Sequence, residues 1–258
     1  MTAETTLPTY DVQLIAGLPD EIGETKKTAK IAPMTTNTLK KLAAIKTRRG
    51  ATAKTLETLF MDCVLEIGGK KPNSEDLARM LMCDRDVLMV EIRVASRGKI
   101  QEVNIKCPEC EHLSLLRQDV TELERYPISG DMKSDGKGNY TFDLTLSDYG
   151  LSATFRLPTG LDIARAMRAG EENPMDMQIE LLTRCCIKWD GIDGPFGPEM
   201  FDNMTTGVLG DLIDAFQSRL PGVDMQPEIS CHICGATFNV DIGGEDFLFR
   251  KPKGRKKH

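Results

Sequence analysis

Two C-x-x-C pairs, Cys107-Pro108-Glu109-Cys110 and Cys231-His232-Ile233-Cys234, constrain this chain more than any other feature. A tight turn between two cysteines aims both sulfurs at one point, and the amides of the turn stabilise the thiolates. Two such turns supply four soft ligands in the tetrahedral arrangement zinc prefers. The flanks repeat as well. Val103 and Ile105 alternate into the first knuckle and Leu113 and Leu115 out of it, while Glu228–Ser230 and Thr237–Asp241 flank the second, a weak repeat of knuckle hairpins. The pairs are separated by 120 residues. Closing such a loop costs about 4–5 kcal/mol, because the entropy grows only logarithmically, against roughly 10–16 kcal/mol from a structural zinc. One zinc per chain held by Cys107, Cys110, Cys231 and Cys234 is therefore expected, with two unmetallated hairpins and an iron–sulfur or redox site as the competing readings.

The remaining candidates for chemistry are sparse. His112 and His232 flank the cysteines, but with four thiolates present they are expected to face solvent. Cys63 and Cys185 fall on apolar helix faces and read as small core residues, and nothing pairs Cys83 or Cys186 with a base. Neither C-x-x-C sits between a strand and a helix start in a parallel unit, which disfavours a thioredoxin-like site. There is no H-E-x-x-H, no G-x-S-x-G and no dinucleotide glycine pattern. The glycines of 130–138 lack the spacing and the Ser or Thr of a phosphate loop. Four thiolates would also leave zinc no open position for water. The expectation is a protein that is not an enzyme.

Charge and length narrow the class further. Of 258 residues, 40% are apolar and 28% charged, a globular balance that permits a sizeable core. No apolar run approaches the length of a membrane span, and the opening residues carry neither a basic nor an apolar signal region, so membrane insertion and secretion are not expected and the thiols should be reduced. The net charge is −6; the six cations of 250–258 leave −12 on residues 1–249. Such a body repels nucleic acid, and its basic end reads as a solvated tail. Met61, Met80, Met82 and Met89 read as core filling, or as an adaptable partner groove.

Periodicity divides the chain into an irregular arm over 1–36, with an edge strand at Tyr10–Ile15, and a helical region over 37–98. A zinc-knuckle β region follows over 99–249 with a helical insertion at about 159–220, then a disordered tail over 250–258. Within the helical region, Leu56, Leu59, Phe60, Cys63, Val64 and Ile67 predict one amphipathic helix ended by Gly68-Gly69. Ser74 and Asp84 are expected to cap the next two helices. Strands at Tyr140–Leu146 and Leu151–Leu157 should pair, after a mobile loop at 129–138. Helices are expected near Asp162–Ala169, over Pro174–Ile187 and over Thr206–Arg219. The fold class is α+β: a helical N-terminal half and a helical insertion packed around two zinc-knuckle hairpins and one further hairpin.

The order of these features resembles the baseplate and baseplate-hub assembly proteins of contractile-tailed phages of the T-even type. The likeness spans roughly residues 50–250. It rests on Asp84-Arg85-Asp86 with Leu88, Ser96-Arg97-Gly98, the Cys107–Cys110 knuckle, Arg156-Leu157-Pro158-Thr159-Gly160, Glu180-Leu181-Leu182 before Asp190-Gly191, Cys231-His232-Ile233-Cys234-Gly235, and Asp246-Phe247-Leu248. One departure is Glu111, where such knuckles often carry Gly, which predicts a looser first turn. The resemblance implies a non-enzymatic role in a virion tail baseplate assembled in the host cytoplasm. Other baseplate or tail-hub proteins would be the partners, and the four cysteines the zinc ligands. The competing class is a zinc-ribbon nucleic-acid-binding protein, but the knuckles carry Glu109, Glu111 and Glu228 rather than basic and stacking residues.

Overall fold

In the computed structural model, which describes residues 7–20, 23–45, 51–243 and 245–248, the N-terminal arm holds the edge strand expected at Tyr10–Ile15 and a second, unexpected strand. Val12, Leu14 and Ala16 alternate inward along β1 (Tyr10–Pro19), which pairs antiparallel with β2 (Thr25–Ile31). After α1 (Thr36–Ile45) and α2 (Ala51–Cys63), strand β3 (Val64–Ile67) joins them in the order β1-β2-β3. The single helix expected to run to Gly68 thus stops at Cys63. Val64 and Ile67, three apart, fit a helical period; the open edge of β2 captures them into a strand all the same, and a register shift between Lys30 and Ile31 lets both be buried there.

Short α3 (Ser74–Arg79) is capped by Asn73 rather than Ser74, with Asp76 closing a capping box. Helix α4 (Met82–Arg97) begins after Leu81, and Asp84 does not cap it. Its fully buried carboxylate instead accepts three backbone N–H groups where β1 slips register: Oδ1 from Ile15 at 2.7 Å and Ala16 at 2.9 Å, Oδ2 from Gly17 at 2.7 Å. At the other end of α4 the buried Arg93 gives Nε and Nη2 to Gln101 Oε1 and Nη2 to the Ile100 carbonyl, while Nη1 reaches the Gly98 carbonyl. Burial, with Arg97 nearby, lowers its pKa to about 10.

Next come the hairpin β4 (Ile100–Lys106) and β5 (Leu113–Asp119), in register from Ile100↔Asp119 to Lys106↔Leu113. The chain then crosses β6 (Arg125–Tyr126) into a second body. There β7 (Lys133–Ser134), β8 (Tyr140–Leu146), β9 (Leu151–Arg156), β10 (Cys186–Trp189) and β11 (Ile192–Asp193) form a five-stranded sheet in the order β11-β10-β9-β8-β7. The expected hairpin is present within a larger sheet than periodicity indicated, and the loop at 129–138 holds β7. Helices α5 (Gly160–Ala169), α6 (Pro174–Cys185), the short α7 (Glu199–Asp202) and α8 (Thr206–Gln217) accompany this sheet. Helix α6 ends at Cys185, not Ile187, for the reason that α2 ends early: an open sheet edge, here β9, captures the following residues.

Strand β12 (Gly222–Val223) pairs with β6 and closes the neck of this insertion. The chain then forms the hairpin β13 (Glu228–Ser230) and β14 (Thr237–Asn239), and ends its described part in α9 (Glu245–Leu248). Two apolar cores result. The first joins Val12, Leu42, Leu59, Val87 and Leu88 to Val240, Ile242, Phe247 and Leu248, with the inner faces of both knuckle hairpins against it. The second, around Phe142, Phe155 and Phe216, belongs to the insertion and reaches α4 through Leu81 and Cys83. The architecture is α+β as expected, while the basic tail lies outside the described residues.

At the start of α5, the buried Asp162 binds Arg156 through both oxygens (2.7 and 3.0 Å), Arg184 Nε at 2.9 Å, and the Thr159 amide and hydroxyl. Desolvation raises its pKa, but the Arg156 and Thr159 hydrogen bonds outweigh it and bring the carboxyl down to about 2. Against an unfolded value near 3.9, this stabilisation is fully present above that pH and is lost as pH falls through about 2. Asp162→Asn should cost roughly 2–3 kcal/mol at neutral pH and flatten the acid limb, as read from urea midpoints between pH 2 and 7. Asp84→Ala, which strands three N–H groups, two of them buried, should cost about 3 kcal/mol or more. Asp84→Asn should not restore it, since a carboxamide turns a donor toward at least one of those amides.

Candidate metal centre

The two knuckles owe their shape to the hairpins beneath them. In the first, the Cys107 amide donates to the His112 carbonyl (3.0 Å) and the Glu111 amide to the Cys107 carbonyl (3.0 Å). In the second, the Cys231 amide donates to Ala236 (2.8 Å) and the Gly235 amide to Cys231 (2.9 Å). The hydrogen bonds correspond one for one. The residue after each second cysteine is left-handed, with φ of 75° at Gly235 and 58° at Glu111. Glu111 therefore does not loosen the first turn; it adopts the glycine conformation and bears the strain, about 1–3 kcal/mol for a non-glycine residue.

The fold brings all four sulfurs within 4.8 Å of one another. Cys107 Sγ lies 3.6 Å from Cys234 Sγ, and Cys110 Sγ lies 3.7 Å from Cys231 Sγ. These separations are far beyond a disulfide's roughly 2.05 Å and match the edge of about 3.8 Å of a tetrahedron with metal–sulfur distances near 2.3 Å. The close pairs run between the knuckles, so an ion at the centre would bridge the two hairpins. Cys107 and Cys231 are buried, and Cys110 and Cys234 face outward. The Cys234 and Ile233 amides point at the Cys231 sulfur and draw its pKa down to about 6. The His112 amide pulls Cys110 the same way, but desolvation and the crowding of the other sulfurs carry it up to about 12. Four thiols packed this closely cannot all ionise alone; a divalent cation removes that repulsion. The donor set is compatible with a metal site.

The histidines differ from expectation in one respect. His232 is exposed and His112 half-buried, and their rings meet edge to face with centroids 4.9 Å apart. Convergence of the knuckles brings them together, and two residues 120 positions apart carry no local signal of it. The other four cysteines are buried in the cores. Burial raises the pKa of Cys63, Cys185 and Cys186 to about 12, and that of Cys83 as well.

With this geometry in place, the comparison with known proteins is decisive for the family. The family model for the T4 bacteriophage base plate protein matches residues 19–249. The chain belongs to that family. Membership supports a structural role in a phage baseplate and implies a place in the virion tail and contact with other baseplate proteins. No curated protein and no solved structure matches the chain.

The two knuckles should respond oppositely to substitution at their left-handed position. Gly235→Ala should destabilise by about 1 kcal/mol or more. Glu111→Gly, which relieves strain but frees the unfolded chain and gives up the exposed Lys106–Glu111 pair, should be neutral or slightly stabilising. Thermal melts of both variants check this.

Proposed function

We propose that this protein is a non-enzymatic structural or assembly component of a contractile phage tail baseplate. A single zinc held by Cys107, Cys110, Cys231 and Cys234 fixes its two knuckle hairpins to each other. The observation that carries the reading is the set of four sulfurs, all within 4.8 Å of one another, joining distant hairpins in a member of a baseplate family. Thiolates on all four corners saturate a zinc ion and leave it no position for an activated water, so its part is mechanical. The hairpins then become one rigid unit that can present a fixed surface to neighbouring baseplate proteins. The protein is taken to be made and assembled in the host cytoplasm.

Elemental analysis of the purified protein should give one zinc per chain. Cys231→Ser or a strong chelator should lower the melting temperature by ten degrees or more, since metal binding is then part of folding. Absence of metal, or an unchanged melt, would refute the zinc assignment. A phage lacking the protein should make heads without functional tails, and mass spectrometry of purified particles separates a resident subunit from an assembly factor that departs. Normal tails in the deletion, together with tight, steeply salt-dependent DNA binding, would move the assignment to a zinc-ribbon nucleic-acid binder.

A further inference from the structure

Away from the sulfur cluster, a groove of about 670 Å³ opens where the N-terminal sheet, α3 and the insertion meet. Its charge is opposite to that of the protein. Lys26, Lys70, Lys71, Arg79 and Lys137 line it, against Asp20 and Asp76, in a chain of net charge −6. The cations stand on different elements: Lys26 on β2, Lys70 and Lys71 after β3, Arg79 at the end of α3, and Lys137 on the insertion loop facing them. Part of this wall is built rather than incidental. A Cβ on Gly68 would meet the Lys26 stem at 2.5 Å, so the absence of a side chain there lets the lysine lie flat across the groove. Asp20, at 3.4 Å, and Glu24 hold its ammonium in place. Among the described residues, neither Lys71 nor Lys137 makes a salt bridge, and both are exposed.

We propose that this groove receives an acidic, extended segment of a partner protein. Its volume is that of a site for a few residues rather than for a domain surface. Cations on both walls can take carboxylates from the two sides of an extended chain, whose side chains alternate in direction. Nucleic acid fits less well. No aromatic residue lines the groove to stack a base, and beyond its ends a polyanion would run along the acidic body. The same acidity favours a short acidic segment, because the five cations of the groove, set against two carboxylates, would steer such a segment into register. The groove is walled by both the N-terminal part and the insertion, so an occupant would also hold the two together. This proposal does not depend on the metal reading.

The test uses the full-length protein and a fluorescein-labelled eight-residue peptide of alternating Glu and Gly, with a Lys-Gly peptide and a single-stranded oligonucleotide of eight nucleotides as comparators. The Glu-Gly peptide should bind, weaken as salt is raised, and lose about tenfold or more in affinity to the Lys71→Glu/Lys137→Glu protein. That variant should melt like the parent, and Lys106→Glu, on the first knuckle hairpin, should bind like the parent. No binding of the Glu-Gly peptide at low salt, or equal binding by the double variant, would overturn the proposal. So would an oligonucleotide that binds more tightly than the peptide and is lost in the same variant.

Discussion

Three consecutive ionisable residues near the start of α4 fix the arrangement of everything around it. Asp84 gathers the amides of Ile15, Ala16 and Gly17 and so holds β1 at its irregular point. Arg85 donates to the Leu77 carbonyl at 2.7 Å, lies over the Phe60 ring, and packs so closely on Gly160 that a Cβ there would sit 2.3 Å from its guanidinium. It thereby locks α2, α3 and the start of α5. Asp86 faces Gly222 in the neck strand, where burial raises its pKa to about 7. A helix start ordinarily spends its acidic residues on its own orphan amides. Here they are spent on other elements, and a displacement of this one turn would be felt in the N-terminal sheet, the helices and the insertion at once.

The neck also changes the energetics of bringing the four sulfurs together. Seen as a chain, the two knuckles are the ends of a long loop. In the folded protein, β6 and β12 already pair, with a further hydrogen bond of 2.9 Å from the Asp224 amide to the Glu124 carbonyl. Only residues 111–124 and 224–230 remain between the neck and the sulfurs. Closing a loop of about 20 residues rather than 120 costs about 1.5 kcal/mol less. Most of the juxtaposition is thus supplied by packing on the first core, where Val103, Ile105 and Leu116 from one hairpin meet the same cluster as Ile229 and Phe238 from the other.

What was legible in the sequence divides along physical lines. The knuckle cysteines, the strands at Tyr140 and Leu151 and helix α8 could be read because their signals are local: fixed spacing, alternation, a 3.6-residue period. The endings of α2 and α6 could not, because Val64 and Cys186 are turned into strand by partners far away in sequence. Asp84 looked like a cap for the same reason: its amide partners lie 67 to 69 residues upstream. The edge strand at Tyr10–Ile15 is legible from its alternation, but its partner β2 is hidden by lysines and threonines on its outward face, which leave only Ala29 and Ile31 buried there. The left-handed turn at Glu111 is not legible, because a glutamate side chain says nothing of the backbone that the knuckle requires there.

The composition of the first core has a consequence for the order in which the protein can form. Val240, Ile242, Phe247 and Leu248 complete a cluster begun by Val12 and Leu14, so β1 must wait for residues made long after it. The insertion, whose core draws chiefly on residues 142–216, can consolidate while the chain is still being made. Synthesis therefore delivers a finished insertion on an unfinished base, and a chain cut short before the second knuckle lacks both the lid of its core and half of its sulfur cluster. Such a fragment exposes the apolar face that the longer chain hides, and with it a surface on which unfinished copies can stick to one another.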